Sequence, residues 1–239
     1  MKRTIFFTAA FLSFLGLMES RAQNMQNNRN MEKLKLTEEW DKTFPKSDKV
    51  DHSKVTFVNR FGITLAADLY VPKIAVADKF PAIAVSGPFG AVKEQSSGLY
   101  AQTLAERGFL TIAFDPSFTG ESSGQPRSVA SPDINTEDFS AAVDYLATRP
   151  DVDAERIGIL GICGWGGFAI NAAANDTRIK ATVASTMYDI SRANANGYFD
   201  AADNADARYR MRRELNAQRT KDYRTGTYPC TTMNPEPAE

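Results

Sequence analysis

Arg156-Ile157-Gly158-Ile159-Leu160-Gly161-Ile162-Cys163-Gly164-Trp165-Gly166-Gly167-Phe168-Ala169-Ile170 is the stretch on which the reading of this chain turns. Its apolar run, Ile157 to Ile162, has the length of one buried parallel strand. The run breaks into four glycines within seven residues, with one cysteine and one tryptophan between them. Phe168 to Ala174 then resumes with good helix formers. Strand, glycine-rich turn and helix together can hold a reactive side chain at a sharp bend, provided that the residues two positions either side are small. The following helix would aim its first N–H groups and the positive end of its dipole at that side chain. A thiol held there is expected to titrate below a free cysteine and to be richer in thiolate, which makes Cys163 the candidate nucleophile. Two other readings stay open. Cys163 also reads as an inert buried small residue, since free cysteine is among the most buried types. A register shifted by two makes Cys163 and Gly167 the small flanks and puts Trp165 at the apex, where no reaction is possible.

Outward from this stretch the pattern is regular. Val55, Phe57 and Asn59 alternate with Thr56, Val58 and Arg60, Phe61-Gly62 makes a turn, and Thr64 to Val71 follows, which predicts an antiparallel hairpin. Phe80 to Val85 predicts a buried strand running into the loop Ser86-Gly87-Pro88-Phe89-Gly90. Ser97 to Gly108 predicts a helix stopped by glycine, and Phe109 to Phe114 the next strand. A polar loop, Asp115 to Gly124, precedes a helix capped by Thr136 or Asn135 and closed by Pro150. Ile179 to Ser185 predicts one more strand. Strands and helices alternating from 80 to 185 imply βαβ units and a parallel sheet. Sites in such sheets lie outside the carboxyl ends of the strands, so the loops at Ser86, Asp115 and Cys163 are expected to converge on one crevice.

The flanks read differently. Lys2-Arg3, the apolar run Ile5 to Leu17 and Ser20-Arg21-Ala22 before Gln23 have the form of a signal peptide over 1–22, with no cysteine nearby for a lipid anchor. Export to the periplasm or medium is the expectation, and no stretch is long and apolar enough to span a membrane. Residues 23–50 read as a polar leader with one short helix, Leu36 to Phe44, ended by Pro45, and residues 51–190 as the α/β core. Residues 191–239 read as the start of a cap or lid helix, about Ala201 to Gln218, and a disordered proline-containing tail. The arginines of that helix read as a solvated face. A formal net charge of -1 over 239 residues, with acids and bases interspersed, argues against a nucleic-acid partner. Nothing in the spacing calls for a metal or other cofactor. The two cysteines, Cys163 and Cys230, leave a disulfide as the bland alternative, although no Cys-x-x-Cys spacing supports redox chemistry.

Residues 54 to 190 resemble the α/β-hydrolase superfamily. Within it, Gly161 to Gly167, the block Asp176 to Ile190 and the block Phe114 to Ser122 look like the dienelactone-hydrolase branch. The resemblance implies a mostly parallel sheet with helices on both faces, incomplete here on its C-terminal side. It also implies acyl transfer on a small-molecule ester, lactone or related acyl bond: a nucleophile, then an acid, then a histidine, with backbone N–H groups holding the oxyanion. On this chain Cys163 takes the nucleophile's place and the N–H of Gly164 one oxyanion position. Pro88 has no N–H to give, so Phe89 is the other. The chain departs from the family in its histidine. The single one, His52, precedes the expected first strand, whereas the family's follows the last. The chain therefore reads as C-terminally truncated and inactive as it stands, with an open edge at Lys180 to Ser185 prone to dimerisation or aggregation. The alternative is a non-catalytic remnant or ligand-binding α/β protein.

Overall fold

The computed structural model describes residues 31–73 and 79–229. Six strands form one sheet: β1 (Val50–Val58), β2 (Thr64–Pro72), β3 (Phe80–Ser86), β4 (Leu110–Phe114), β5 (Val152–Ile162) and β6 (Ile179–Ser185), in the order β1-β2-β4-β3-β5-β6. β1 and β2 are the expected hairpin, and β2 also runs antiparallel to β4. From β4 through β3 and β5 to β6 every pairing is parallel. The helices are α1 (Ser96–Ala105), α2 (Pro132–Ala147), α3 (Gly164–Asn175), α4 (Ile190–Asn196) and α5 (Ala205–Thr225). This is the α/β-hydrolase type of fold, and it carries two cores. On one face, Phe139, Val143 and Leu146 of α2 and Ala169 and Ala172 of α3 pack on Ile112, Ile157 and Ile159. On the other, Ala101 and Ala105 of α1 pack on Val85, Ala113 and Leu160. Burying a Val, Leu or Ile side chain contributes about 1.5–3 kcal/mol each, so these two layers set the sheet's plane and its register.

Several local expectations are corrected. Residues 36–44 form no helix. The segment crosses the sheet as an irregular strap, with Trp40 edge-on to Phe44 at 5.7 Å and the Trp40 indole N–H donating to the Phe44 carbonyl (2.8 Å). Leu36, Trp40 and Phe44 have helical spacing, but the residues between Trp40 and Phe44 find partners outside the segment. Thr43 N–H donates to the Glu94 carbonyl, and buried Lys42 pairs with Asp68 at 3.0 Å. The polar leader lies against the fold from its first described residues, since Glu32 N–H donates to Thr64 Oγ1. β1 begins at Val50, so His52 lies inside the first strand. The cap of α2 is Ser131, ahead of the residues expected, with Pro132 opening the helix. The cap region contains a short helix, α4, that no apolar period announces, and α5 starts and ends later than expected. The signal-peptide stretch and Cys230 lie outside the described residues.

Among the described residues β6 ends the sheet, and Val183 on it is 52% exposed.

Candidate active site

β5 runs into α3 through Cys163, whose backbone sits at φ 58, ψ -128. Few non-glycine residues hold a positive φ, and doing so costs on the order of 1–3 kcal/mol. The neighbours enforce it. Cys163 N–H donates to the Ser185 carbonyl at the end of β6 (2.9 Å), and its own carbonyl accepts from Gly166 N–H (2.9 Å). Gly161 crosses directly over the Trp165 carbonyl, where a Cβ would collide with backbone. Cys163 thus occupies the apex, as the N-cap of α3, and its thiol is free and half-buried.

The same geometry disposes of the shifted register. Trp165 lies in the first turn of α3, 5% exposed, with its ring 5.5 Å from Phe89 and 4.5 Å from Phe168. Room for it comes from Gly87 in the β3–α1 loop, at φ +99, where a Cβ would lie 2.6 Å from the indole Cδ1. A large side chain two positions after the apex is tolerated because the facing loop has given up its own.

The loops after β3 and β5 meet as expected. Gly164 follows the apex as the first residue of α3, and the Phe89 ring packs against it. Ile190, at the start of α4, rests its Cδ1 on Gly164. Gly164, Phe89 and Ile190 line the same open groove, of about 650 Å³, which continues along Phe168 and Ile170 of α3 and under Met187. Spacing does not mark Tyr188. It follows β6, and only the parallel β5–β6 pairing brings it beside the elbow. There burial, then the Cys163 thiol and the Tyr198 hydroxyl, push its own hydroxyl above the usual phenol range.

His52 is elsewhere. Its Nε2 lies 2.8 Å from Asp68 Oδ1, and its ring packs between Trp40 and Tyr70, each 5.1 Å away. β1 is four strand positions from β5, roughly 19 Å at ~4.8 Å per strand, so His52 cannot exchange a proton with Cys163.

The polar loop after β4, Asp115 to Gly124, expected at the same crevice, contributes no residue to the groove and instead braces the loop after β3. Lys93, fully buried, donates its N–H to Asp115 Oδ1 and its ammonium to Asp115 Oδ2 (both 2.8 Å) and to Glu121 (2.7 Å). Burial disfavours the charged ammonium, but Asp115 and the hydrogen bonds to Glu121 and Glu94 outweigh it and raise the Lys93 pKa. Glu94, Asp115 and Glu121 bring three carboxylates within 4.8 Å of one another, with the Lys93 ammonium bonded to all three. The cluster pins the far end of the loop that carries Gly87 and Phe89.

Residues 62–229 match the X-Pro dipeptidyl-peptidase family, S15. The chain belongs to the S15 family. This S15 chain is 61% identical to the uncharacterized protein PA2218 of Pseudomonas aeruginosa over 91% of its own length and 59% of that protein's. The crystal structure of PA2218 superposes with a TM-score of 0.80 at 65% identity, covering 82% of this chain and 61% of that one. The uncharacterized protein YcjY of Escherichia coli is 42% identical over 77% of this chain and 61% of its own. Thiohydrolase aneE of Aspergillus aculeatus is 34% identical over 54% of this chain and 39% of its own. The chain thus spans about 60% of the length of the first two. The α/β hydrolase GrgF of a Penicillium shares the fold, with a TM-score of 0.62 at 24% identity over 75% of this chain and 57% of that one.

Proposed function

We propose that this S15 chain carries the nucleophile of a hydrolase or acyl transferase that opens an ester, lactone or thioester through Cys163. The single observation behind the reading is the strained backbone of Cys163 at the N-cap of α3, directly before Gly164, which lines an open groove together with Phe89. In the proposed step the Cys163 sulfur, as thiolate, bonds to the acyl carbon. The carbon–oxygen or carbon–sulfur bond to the leaving group breaks, and the leaving group takes up a proton. The N–H groups of Gly164 and Phe89 hold the charge that develops on the carbonyl oxygen. The name of the partly matching thiohydrolase favours a thioester among the substrates; the dienelactone-type branch rests on sequence resemblance alone.

Among the described residues no imidazole reaches Cys163, and the only histidine of the sequence is His52. We therefore expect one acylation without turnover. Incubation with p-nitrophenyl butyrate should release close to one equivalent of nitrophenolate and add one butyryl mass, and Cys163→Ala should do neither. Sustained turnover by the wild-type chain would show that another base serves the thiol. No acyl adduct at all would favour the second reading, a crevice that binds without chemistry, which the remote His52 supports.

Two further expectations are kept as proposals. Export after cleavage before Gln23 is tested by N-terminal sequencing of the mature chain. Self-association through β6 is tested by sedimentation, where Val183→Lys should reduce it.

A further inference from the structure

We infer, resting on the reading of Cys163 above, that the groove beside the elbow is an acyl-chain subsite selecting an uncharged apolar acyl group and excluding one that ends in a carboxylate. The walls are Phe89, Phe168, Ile170, Met187, Ile190 and Pro132, and the groove is continuous with Gly164 at the elbow. Ile170 on α3 and Met187 after β6 are 46% and 44% exposed, so two of its apolar side chains stand open to an incoming ligand. A volume of about 650 Å³ falls in the range of small-molecule sites.

Charge decides what kind of acyl group fits. Among the described residues Asp189 is the only charged side chain on the groove. It caps α4, accepting from Arg192 N–H at 2.9 Å, and the Ser191 hydroxyl and that N–H hold its carboxyl below the usual range. Arg192, the nearest cation in sequence, is turned to Asp200, its Nε donating to Oδ1 at 2.8 Å. No cation among the described residues lines the groove, so an acyl chain ending in a carboxylate would meet an anion and no counter-charge.

The test uses two readouts on the full chain. Cys163 acylation is followed with p-nitrophenyl acetate, p-nitrophenyl octanoate and mono-p-nitrophenyl succinate, each rate divided by the iodoacetamide alkylation rate. Octanoyl should exceed acetyl by at least about tenfold, since each buried methylene adds affinity, and succinyl should fall below acetyl. Asp189→Asn keeps the helix cap while removing the charge, and should raise the succinyl rate several-fold with little effect on octanoyl. Ile170→Glu, at a half-exposed position, should abolish the octanoyl preference. Nile red, a neutral dye, reads the groove without any acyl chemistry. Octanamide should displace it better than octanoate in the wild type, and that difference should shrink in Asp189→Asn. If no ester acylates Cys163 but the dye results hold, the nucleophile reading fails and the subsite stands. If octanoate displaces the dye as well as octanamide, or acetyl reacts as fast as octanoyl, the subsite is overturned whatever the thiol does.

Discussion

The indole of Trp165 shares with the Ile162 carbonyl the volume that a Cβ on Gly87 would need, with Trp165 Cδ1 2.6 Å and the carbonyl oxygen 2.5 Å from that ideal position. This contact ties the elbow of β5 to the loop after β3, the two segments that carry Gly164 and Phe89. Gly87→Ala should cost about 3 kcal/mol, read as a lower urea midpoint, because it adds a clash to a positive φ. Trp165→Val should cost about as much through the cavity it leaves. In the Trp165→Val background the Gly87→Ala cost should drop by about 1 kcal/mol or more. Equal costs in both backgrounds would mean that the indole is not what Gly87 makes room for.

Cys163 holds φ 58, a conformation that costs stability in a residue other than glycine. Glycine adopts that conformation freely, so Cys163→Gly should leave the urea midpoint unchanged or raise it by about 1 kcal/mol, while abolishing acylation by p-nitrophenyl butyrate. A clear loss of stability in Cys163→Gly would instead assign the thiol to packing against its partly buried neighbours.

Acid should loosen the strap and the β3–α1 loop together. Partial burial alone would raise the Glu121 carboxyl, but the ammonium groups of Lys54 and Lys93 outweigh it and bring its pKa to about 2. A carboxyl depressed on folding contributes stability above its ordinary value, and the contribution is lost as pH falls through the folded one. The window therefore runs from about 4.5 down to about 2. Glu121 also accepts from Thr37 N–H at 2.6 Å, so residues 31–49 should become protease-sensitive over the same interval. Asp138, buried with Asn59, Ser117 and Asn135 around it, works the other way. Burial raises its pKa, so its contribution is full at low pH and lost as pH rises through the raised value. Urea midpoints for Glu121→Gln should accordingly be flatter between pH 5 and 2 than for wild type. An unchanged slope would show that the cluster does not set acid stability.

The alternation from Phe80 to Ser185 is legible because β3, β4 and the end of β5 are buried and read as apolar runs with turn residues between, while β6, largely exposed, still carries Ile179, Ala181, Val183 and Ala184. Cys163 is legible for a local reason, since the turn's tightness demands glycine at Gly161, whose Cβ would meet the Trp165 carbonyl. What stays hidden depends on distant partners. The register at Trp165 is decided by Gly87, on another strand's loop. Leu36, Trp40 and Phe44 mimic a helix, yet Lys42, Thr43 and Trp40 find their partners on β2, on the loop before α1 and within the strap. His52 sits in polar company along the chain, but Asp68, Trp40 and Tyr70 bury its ring across the hairpin. Tyr188 and Ile190 belong to a segment with no period of its own, and only the β5–β6 pairing places them.

Ile190 packs its Cδ1 on Gly164, the residue whose N–H is proposed to hold the oxyanion. Its helix, α4, has seven residues, none of them buried, so little packing resists its movement. A substrate carbonyl reaching toward that N–H has to displace the isoleucine or pass beside it. Ile190→Ala should therefore speed acylation of Cys163 by acetyl esters several-fold, with iodoacetamide alkylation rising less, because the smaller reagent needs no oxyanion site. The octanoyl rate should gain less than the acetyl rate, since Ile190 is also part of the apolar wall that the longer chain uses. Equal gains for iodoacetamide and both esters would make Ile190 a plain steric cover over the thiol, with no special relation to Gly164.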